Sequence, residues 1–355
     1  MGILDKTLNS VKPANEASMT QARARLDNLA KPIGSLGKLE DIAAKMAGIT
    51  GKIHNKINKK CIIVMCADNG VVEEGVSAAP QSITALLTEN MTKGIMGVCS
   101  LADYAGADLR VVDIGVNAKF NNPKIIDRKI AYGTQNISKG PAMTREDAIK
   151  GIEIGIQIVD ELAEQGYDLL GTGELGIGNT TTSAAVLSAL SGFEVDVTVG
   201  KGAGLTEEQF QNKKAVVQKA LDINKPDKDD VIDVISKVGG FDIAGLCGCF
   251  LGAAKRRIPI VIDGYISSVA ALCAYRLNPI VHDFIFPSHL SAEPGAIYVM
   301  KELKLEPLFD LRMRLGEGSG CPLAFNIIES ALHVMNNMGT FEDAMINNNF
   351  LIDIR

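Results

Sequence analysis

The sequence predicts a doubly wound α/β fold with a mainly parallel, Rossmann-like sheet. Strand-like and helix-like segments alternate through most of the 355 residues, as they do when a helix crosses over between neighbouring parallel strands. Two strand-like runs, 61–65 and 258–262, are almost continuously apolar, which is typical of strands covered by helices on both faces. Glycine-rich polar segments follow several of the strands, and such folds bind their ligands at the carboxyl ends of the strands.

The elements follow in chain order. Strands are predicted over residues 61–65, 109–114, 168–170, 258–262 and 284–286. Thr144-Arg-Glu-Asp147 predicts the capped start of a helix that reaches about residue 165, and Thr206-Glu-Glu-Gln209 resembles a capping box at the start of another.

The two ends of the chain differ from the middle. Residues 15–30 read as a polar helix, and residues 323–338 and 341–346 read as helices without intervening strands. We therefore expect a large Rossmann-like domain over residues 31–324 and a small helical domain built from residues 1–30 and 325–355.

Composition narrows the class of protein. With 46% hydrophobic and 22% charged residues the chain is globular, and its net charge of −6 with scattered basic residues argues against a nucleic-acid surface. The seven cysteines lack zinc spacing and most lie in apolar runs, which indicates buried thiols in a reducing compartment. The N-terminus shows no signal-peptide pattern, and the longest apolar stretch, 258–277, is interrupted by Asp263 and Gly264. These features predict a cytoplasmic protein with no membrane span, metal or cofactor.

The segment 171–185 is the most informative stretch. It follows a short apolar run, carries glycines at 173, 176 and 178, and continues into Asn179 and three threonines, which are good helix-starting residues. A strand, a glycine-rich turn and a helix N-terminus form an anion site, because free amides and the helix dipole both favour a phosphate. The turn matches neither the G-x-G-x-x-G nor the G-x-x-x-x-G-K-[ST] fingerprint, and it holds an acid, Glu174, that phosphate binding alone does not need.

Seven motif segments follow one another along nearly the whole chain. They are Leu29-Ala-Lys-Pro-Ile-Gly-Ser-Leu-Gly-Lys-Leu-Glu40, Ala67-Asp-Asn-Gly-Val71 with Glu74-Gly-Val-Ser-Ala-Ala-Pro-Gln81, Gly173-Glu-Leu-Gly-Ile-Gly-Asn-Thr-Thr181, Val238-Gly-Gly-Phe-Asp-Ile243, Asp263-Gly264, Ser288-His-Leu-Ser-Ala-Glu-Pro-Gly295 and Arg314-Leu-Gly-Glu-Gly-Ser-Gly320. In this order they resemble the nicotinate-nucleotide–dimethylbenzimidazole phosphoribosyltransferases of cobamide (vitamin B12) biosynthesis. Asn69 stands where the family has His, and Ile33 where Pro is usual.

The resemblance implies transfer of a 5-phosphoribosyl group from nicotinate mononucleotide to a ring nitrogen of a benzimidazole. The nicotinate leaves as a neutral ring nitrogen, whereas the incoming azole must lose its other N–H proton, so one well-placed carboxylate is needed. Glu317, between Gly316 and Gly318, matches the family's general base. Glu174 is a second candidate catalytic acid that could orient the ribose, stabilise the oxocarbenium-like sugar or cap an amide.

The resemblance also implies the binding residues and a homodimer whose neighbouring subunit closes the site. The nucleotide phosphate and ribose are assigned to Gly176, Gly178, Asn179, Thr180, Thr181, Gly202, Lys213, Asp263 and Ser291. The sequence leaves two roles open for Asp263, which are contact with the ligand and capping of the helix that follows. The benzimidazole is assigned to Ser77, Pro80, Gln81, Leu175 and Leu315.

Two other classes of function compete with the transferase. A nicotinamide-dependent dehydrogenase would suit the α/β pattern but lacks the dinucleotide fingerprint and its ribose-binding acid. A non-catalytic carrier or sensor of the same fold would not need two acids facing one pocket. The accepted base also stays open among dimethylbenzimidazole, other benzimidazoles, purines and phenols.

Overall fold

The computed structural model describes residues 2–202, 204–347 and 352–354. Within these residues the chain forms six strands: β1 Lys60–Ala67, β2 Ala107–Gly115, β3 Ile125–Asp127, β4 Leu169–Leu175, β5 Ile260–Ile262 and β6 Ile285–Pro287. The helices are α1 Ile3–Ser10, α2 Glu16–Asp27, α3 Lys38–Thr50, α4 Ser82–Thr92, α5 Gly97–Tyr104, α6 Arg145–Glu164, α7 Asn179–Ser191, α8 Val195–Thr198, α9 Glu207–Asn224, α10 Val231–Val238, α11 Phe241–Arg256, α12 Tyr265–Leu277, α13 Gly295–Leu303 and α14 Cys321–Asn337.

All the strands belong to one sheet, and every pairing is parallel. The spatial order is β3-β2-β1-β4-β5-β6, so the chain winds outward in one direction from β1 and in the other from β4. This is the doubly wound, Rossmann-like arrangement that the sequence predicts, and its strand order reverses between β1 and β4. The crevice at that reversal, at the carboxyl ends of the strands, is where such folds bind ligands.

Local sequence explains where the main elements begin. β1 is buried from its second residue onward, as its unbroken apolar run predicts. Helix α6 starts where Thr144 accepts a hydrogen bond from the Asp147 amide at 3.0 Å, and α9 starts at the capping box formed by Thr206 and Gln209. Both predicted caps are confirmed.

Three differences from the predicted elements concern short segments. The edge strand β3 is not among the predicted strands. The predicted helix over 341–346 is wrong, because a turn follows Thr340, which bridges to Leu29. The strand predicted to end at residue 170 continues to Leu175, so Gly171 and Gly173 lie inside β4 and the glycine-rich turn begins after it.

The predicted division into two domains stays a prediction. Helices α2 and α14 both pack against α3, which lies in the segment assigned to the large domain, and α14 also packs against β4 and β5. Residues 1, 348–351 and 355 of the predicted helical domain lie outside the described residues.

None of the helices in the described part of the chain has the length and apolarity that a membrane crossing requires. The seven cysteines are all buried and unpaired.

Candidate active site

A cavity of about 230 Å³ opens at the carboxyl edge of the sheet beside β4. Segments after β4, β5 and β6 and the loop before α14 converge on it. Of the residues that the sequence assigns to the site, it brings together Ser77, Glu174, Leu175, Gly176, Gly178, Asn179, Thr180, Gly202, Lys213, Ser291, Leu315 and Glu317. Pro80, Gln81, Thr181 and Asp263 are not among its described lining residues.

The start of α7 forms one wall of the cavity. Gly178, with φ of 93°, occupies the N-cap position and supplies no side-chain cap. The amides of Ile177, Asn179 and Thr181 bond within the protein, whereas those of Gly178 and Thr180 have no protein acceptor among the described residues. Two free amides at a helix N-terminus suit an anion.

A buried lysine faces the same helix end. Lys213, from α9, is 1% exposed, and its Nζ donates to Thr180 Oγ1 at 2.8 Å and to the Gly200 carbonyl at 3.0 Å. Burial lowers the pKa of Lys213 to about 8, and the charge of Glu293 opposes that shift. An ammonium group whose third proton has no acceptor among the described residues can bind a phosphate oxygen. Gly202 lies directly beside it, since a Cβ there would stand 3.5 Å from Nζ.

Glu174 lies at the end of β4, before the glycine-rich turn that leads into α7. Its carboxylate accepts a short hydrogen bond from Asn179 Nδ2. Burial, together with the charges of the nearby Asp242 and Asp263 carboxylates, raises the pKa of Glu174 to about 8. The acid thus belongs to a buried cluster of carboxylates.

Glu317 lies in a loop of unusual backbone conformation. Gly316, Glu317 and Gly318 have φ of 80°, 64° and 90° in succession, so a glutamate occupies the left-handed region that glycine favours. The Glu317 side chain lines the cavity, and its Oε2 accepts a hydrogen bond from the Val98 amide at 3.3 Å, in the first turn of α5. Burial raises the Glu317 pKa, and the Val98 amide opposes the shift.

Gly173 allows the backbone of the Glu317 loop to lie directly against β4. A Cβ at residue 173 would clash with the Glu317 carbonyl group and stand 2.7 Å from the Gly318 nitrogen. The glycine inside β4 therefore serves close approach of the Glu317 loop, not exposure of its own amide to a ligand.

Asp263, after β5, is 1% exposed and has its carboxylate turned towards the same loop. Its Oδ2 accepts from the Gly318 amide at 2.9 Å and its Oδ1 from the Gly320 amide at 2.6 Å. Burial raises the Asp263 pKa to about 7, and the Gly320 and Gly318 amides oppose the shift.

Only some of the residues predicted to bind the base line the cavity. Leu175 is buried, whereas Leu315 packs over Gly97 and keeps 57% of its surface exposed. Gln81 Oε1 accepts from Asn117 Nδ2 at 3.2 Å, and neither residue is among the described lining of the cavity. Apolar lining that the sequence does not indicate comes from Val76, Leu87 and Ile177.

Polar lining residues that the sequence does not indicate lie next to predicted ones. Glu293 lines the cavity at 8% exposure, and its Oε2 has no hydrogen-bond partner in the described structure. His289 also lines it, stacks on Phe309, and has its pKa lowered to about 4 by burial. Both belong to the segment 288–295, which the family resemblance singles out. Asn69 is fully buried behind the site and accepts from Thr182 Oγ1 at 3.2 Å.

Together, the doubly wound sheet and the cleft define an α/β protein of the enzyme class, in which a helix N-terminus with two amides that lack described acceptors lies beside buried carboxylates. Comparison with known proteins identifies the family. A family model described as phosphoribosyltransferase matches residues 11–346. The chain belongs to this family of phosphoribosyltransferases, which favours the transferase over the dehydrogenase and the non-catalytic carrier.

Curated relatives match along their whole length. A protein of Clostridium tetani is 59% identical, with 100% of this chain and 98% of that protein covered. One of Geobacter sulfurreducens is 45% identical, with 97% and 98% covered. Both are named nicotinate-nucleotide–dimethylbenzimidazole phosphoribosyltransferase. The crystal structure of CobT from Thermus thermophilus superposes with a TM-score of 0.90 at 35% identity and covers 94% of this chain and 100% of that one.

Proposed function

We propose that this enzyme transfers the 5-phosphoribosyl group of nicotinate mononucleotide to 5,6-dimethylbenzimidazole or a related base. The products are nicotinate and α-ribazole 5′-phosphate, the nucleotide used in cobamide assembly. The names of the full-length relatives support the substrates. The observation that carries the proposal is the buried Glu317 carboxylate, which shares one cavity with the buried Lys213 ammonium and with Leu175.

The reaction breaks the bond between the anomeric carbon and the nicotinate ring nitrogen. That nitrogen carries the positive charge of a pyridinium, so it keeps the bonding electron pair and leaves neutral, without a general acid. A lone pair of the benzimidazole then bonds to the anomeric carbon. The positive charge moves to the azole ring, and the proton on its second nitrogen passes to Glu317.

Burial prepares Glu317 for that proton transfer. A carboxylate with a raised pKa is a stronger base than an exposed one, and it stays ionised above that pKa. The Val98 amide holds one oxygen of the carboxylate, which leaves the other for the azole N–H. We propose Glu174 as the second catalytic acid, which orients the ribose or stabilises the oxocarbenium-like sugar.

The phosphate is assigned to the end of the cavity beside α7. There Gly178 and Thr180, whose amides have no acceptor among the described residues, line the same cavity as Lys213, whose ammonium donates to Thr180 Oγ1. We propose that they bind the phosphate, with Gly176, Asn179, Thr181, Gly202 and Ser291 around it.

The base is assigned to the apolar side of the cavity. Leu175 and Leu315 adjoin the two acids, and we propose that they sandwich the flat ring, with Ser77, Pro80 and Gln81 at its edge. The rest of the apolar lining adds to the same slot.

We further propose a cytoplasmic homodimer. Several large apolar side chains stay exposed, among them Leu315 itself with Leu86, Ile95 and Leu311. A second subunit that covers them would also close the base-binding side of the cavity. Light scattering of the purified protein tests this arrangement.

Product analysis tests the activity. The purified protein is incubated with nicotinate mononucleotide and, in separate reactions, with dimethylbenzimidazole, benzimidazole, adenine or phenol, and the products are identified by mass. We expect α-ribazole phosphate and equimolar nicotinate with dimethylbenzimidazole. Absence of product with every base would refute the proposed function.

A further inference from the structure

We propose that Asp263 is a positioning residue that holds Glu317 in place through the backbone of its loop and does not bind the nucleotide. The inference rests on the proposed function, because it concerns the group assigned there as the general base. The positioning role replaces both ligand contact and helix capping as the reason for an aspartate here.

Each oxygen of the Asp263 carboxylate is already engaged. Gly318 and Gly320, on either side of Ser319, donate their amides to its two oxygens at 2.9 and 2.6 Å. Ser288 donates its hydroxyl to the Asp263 carbonyl at 2.7 Å, which ties the aspartate to the segment after β6. The side chain is 1% exposed and is not among the described residues that line the cavity. An acid in this setting contacts the loop and not a ligand.

The loop needs such an anchor. A non-glycine residue in the left-handed region carries backbone strain, which persists only where the surroundings enforce it. Gly316 and Gly318 flank Glu317 in the same region, so the loop has many other conformations open to it. Without Asp263, the Gly318 and Gly320 amides would also be buried without acceptors, and the loop would move to satisfy them.

The consequence for catalysis is geometric. Glu317 must meet the azole N–H at hydrogen-bond distance, and a shift of about 1 Å at a reacting group can cost roughly 100-fold in rate. Asp263 would therefore act on kcat through Glu317, with the phosphate contacts of Lys213 left intact.

A double-mutant cycle tests the proposal. Kinetic constants for both substrates are measured in the purified full chain for wild type, Asp263→Asn, Glu317→Gln and the double variant. Asparagine keeps the size but offers one acceptor oxygen for two amides. We expect Asp263→Asn to lower kcat by about 10–100-fold, with an unchanged KM for nicotinate mononucleotide. In the Glu317→Gln background the same change should cost less than about threefold, because the base through which Asp263 acts is already gone.

Asp113→Asn is the matched control. Asp113 is an equally buried aspartate at the end of β2, where it accepts from the Val116 amide and pairs with Lys129. Its loss should lower thermal stability and leave kcat unchanged. If Asp263→Asn does not fold, Ser288→Ala replaces it in the cycle, with a smaller kcat loss that again disappears in the Glu317→Gln background.

Two results would overturn the positioning role. One is a full additional loss of kcat in the double variant, and the other is a rise in KM for nicotinate mononucleotide that matches the fall in kcat/KM. Either result is measured on an active enzyme and therefore leaves the proposed function intact. Only an inactive wild-type protein would refute both the proposed function and the positioning role.

Discussion

At the scale of single residues, Lys213 is the side chain whose substitution should affect nucleotide binding without affecting binding of the base. Its ammonium is buried and donates to Thr180 Oγ1, and its third proton has no acceptor among the described residues. Lys213→Met should raise the KM for nicotinate mononucleotide roughly 10–100-fold, because a hydrogen bond to a charged group contributes about 1.5–3 kcal/mol. The KM for dimethylbenzimidazole should stay unchanged.

The neighbouring lysine is the control for that measurement. Lys214 pairs with Asp196 at 2.8 Å and is not among the described residues that line the cavity, so Lys214→Met should leave both KM values alone. Since the Lys213 pKa is lowered to about 8, its charge is lost as the pH rises through 8, and the wild-type KM for the nucleotide should climb there. A KM that is flat between about pH 7 and 9 contradicts the assignment.

Leu315 should decide the choice of base. Leu315→Ala removes apolar contact worth about 1–3 kcal/mol, so the KM for dimethylbenzimidazole should rise and bulkier bases should be favoured. Ile297, 48% exposed, outside the described lining of the cavity and not assigned to the subunit contact, gives the control Ile297→Ala. If the KM for the nucleotide changes while the base preference does not, the base slot lies elsewhere.

At the scale of elements, strand β4 connects the sheet to the chemistry. Gly173→Ala would push a Cβ into the Glu317 backbone. We expect kcat to fall by roughly 100-fold and the free energy of unfolding to fall by about 1–3 kcal/mol. Gly140→Ala, where a Cβ meets nothing within 4 Å, should change neither. A fully active Gly173→Ala enzyme would show that the loop can shift without harm to the base.

The same strand shows what the sequence can and cannot predict. Long elements with an apolar period or a capping motif, such as β1, α6 and α9, are evident from local residues. Gly171 and Gly173 read as a turn because glycine usually marks one. Their reason lies about 150 residues away, in Cys321 and the Glu317 backbone that pack on them, and no local pattern carries that information.

The residues of the candidate site likewise fall into those that the sequence predicts and those that it does not. Residues in contiguous motifs, such as Glu174 and Glu317, can be assigned through the family resemblance alone. The bonds from Asp263 to Gly318 and Gly320, and the unpartnered carboxylate oxygen of Glu293 in the described structure, depend on how distant loops meet. Only the fold reveals them.

At the scale of the whole molecule, the site concentrates acids that oppose folding. Burial raises the pKa of Glu174 to about 8, of Asp263 to about 7 and of Asp242 to about 6. Each folded acid then holds a proton that the unfolded chain has lost, so stability falls as the pH rises from about 4.5 towards 8.

We also propose that the chain divides into two domains, a large one over residues 31–324 and a small helical one built from residues 1–30 and 325–355.

Glu174→Gln should therefore stabilise the protein, and more so at high pH. The gain in the free energy of unfolding should grow by on the order of 1 kcal/mol per pH unit between about pH 5 and 8 and should vanish below about pH 4.5. Thermal unfolding across this range, with the exposed Glu208→Gln as control, provides the measurement. A gain that does not depend on pH would mean that Glu174 is not buried in its charged form.

The central claim is that Glu317 takes the azole proton, and turnover of Glu317→Gln tests it most directly. Glutamine keeps the size and removes the proton acceptor, so kcat with dimethylbenzimidazole should fall by roughly 10²–10⁴-fold with little change in either KM. The wild-type rate should fall at low pH, at a higher pH than for an ordinary glutamate, because burial raises the Glu317 pKa. An N-methylated benzimidazole, which has no N–H proton to lose, should lose far less rate in the variant. Near-normal kcat of Glu317→Gln with dimethylbenzimidazole would contradict the account and make Glu174 the next candidate.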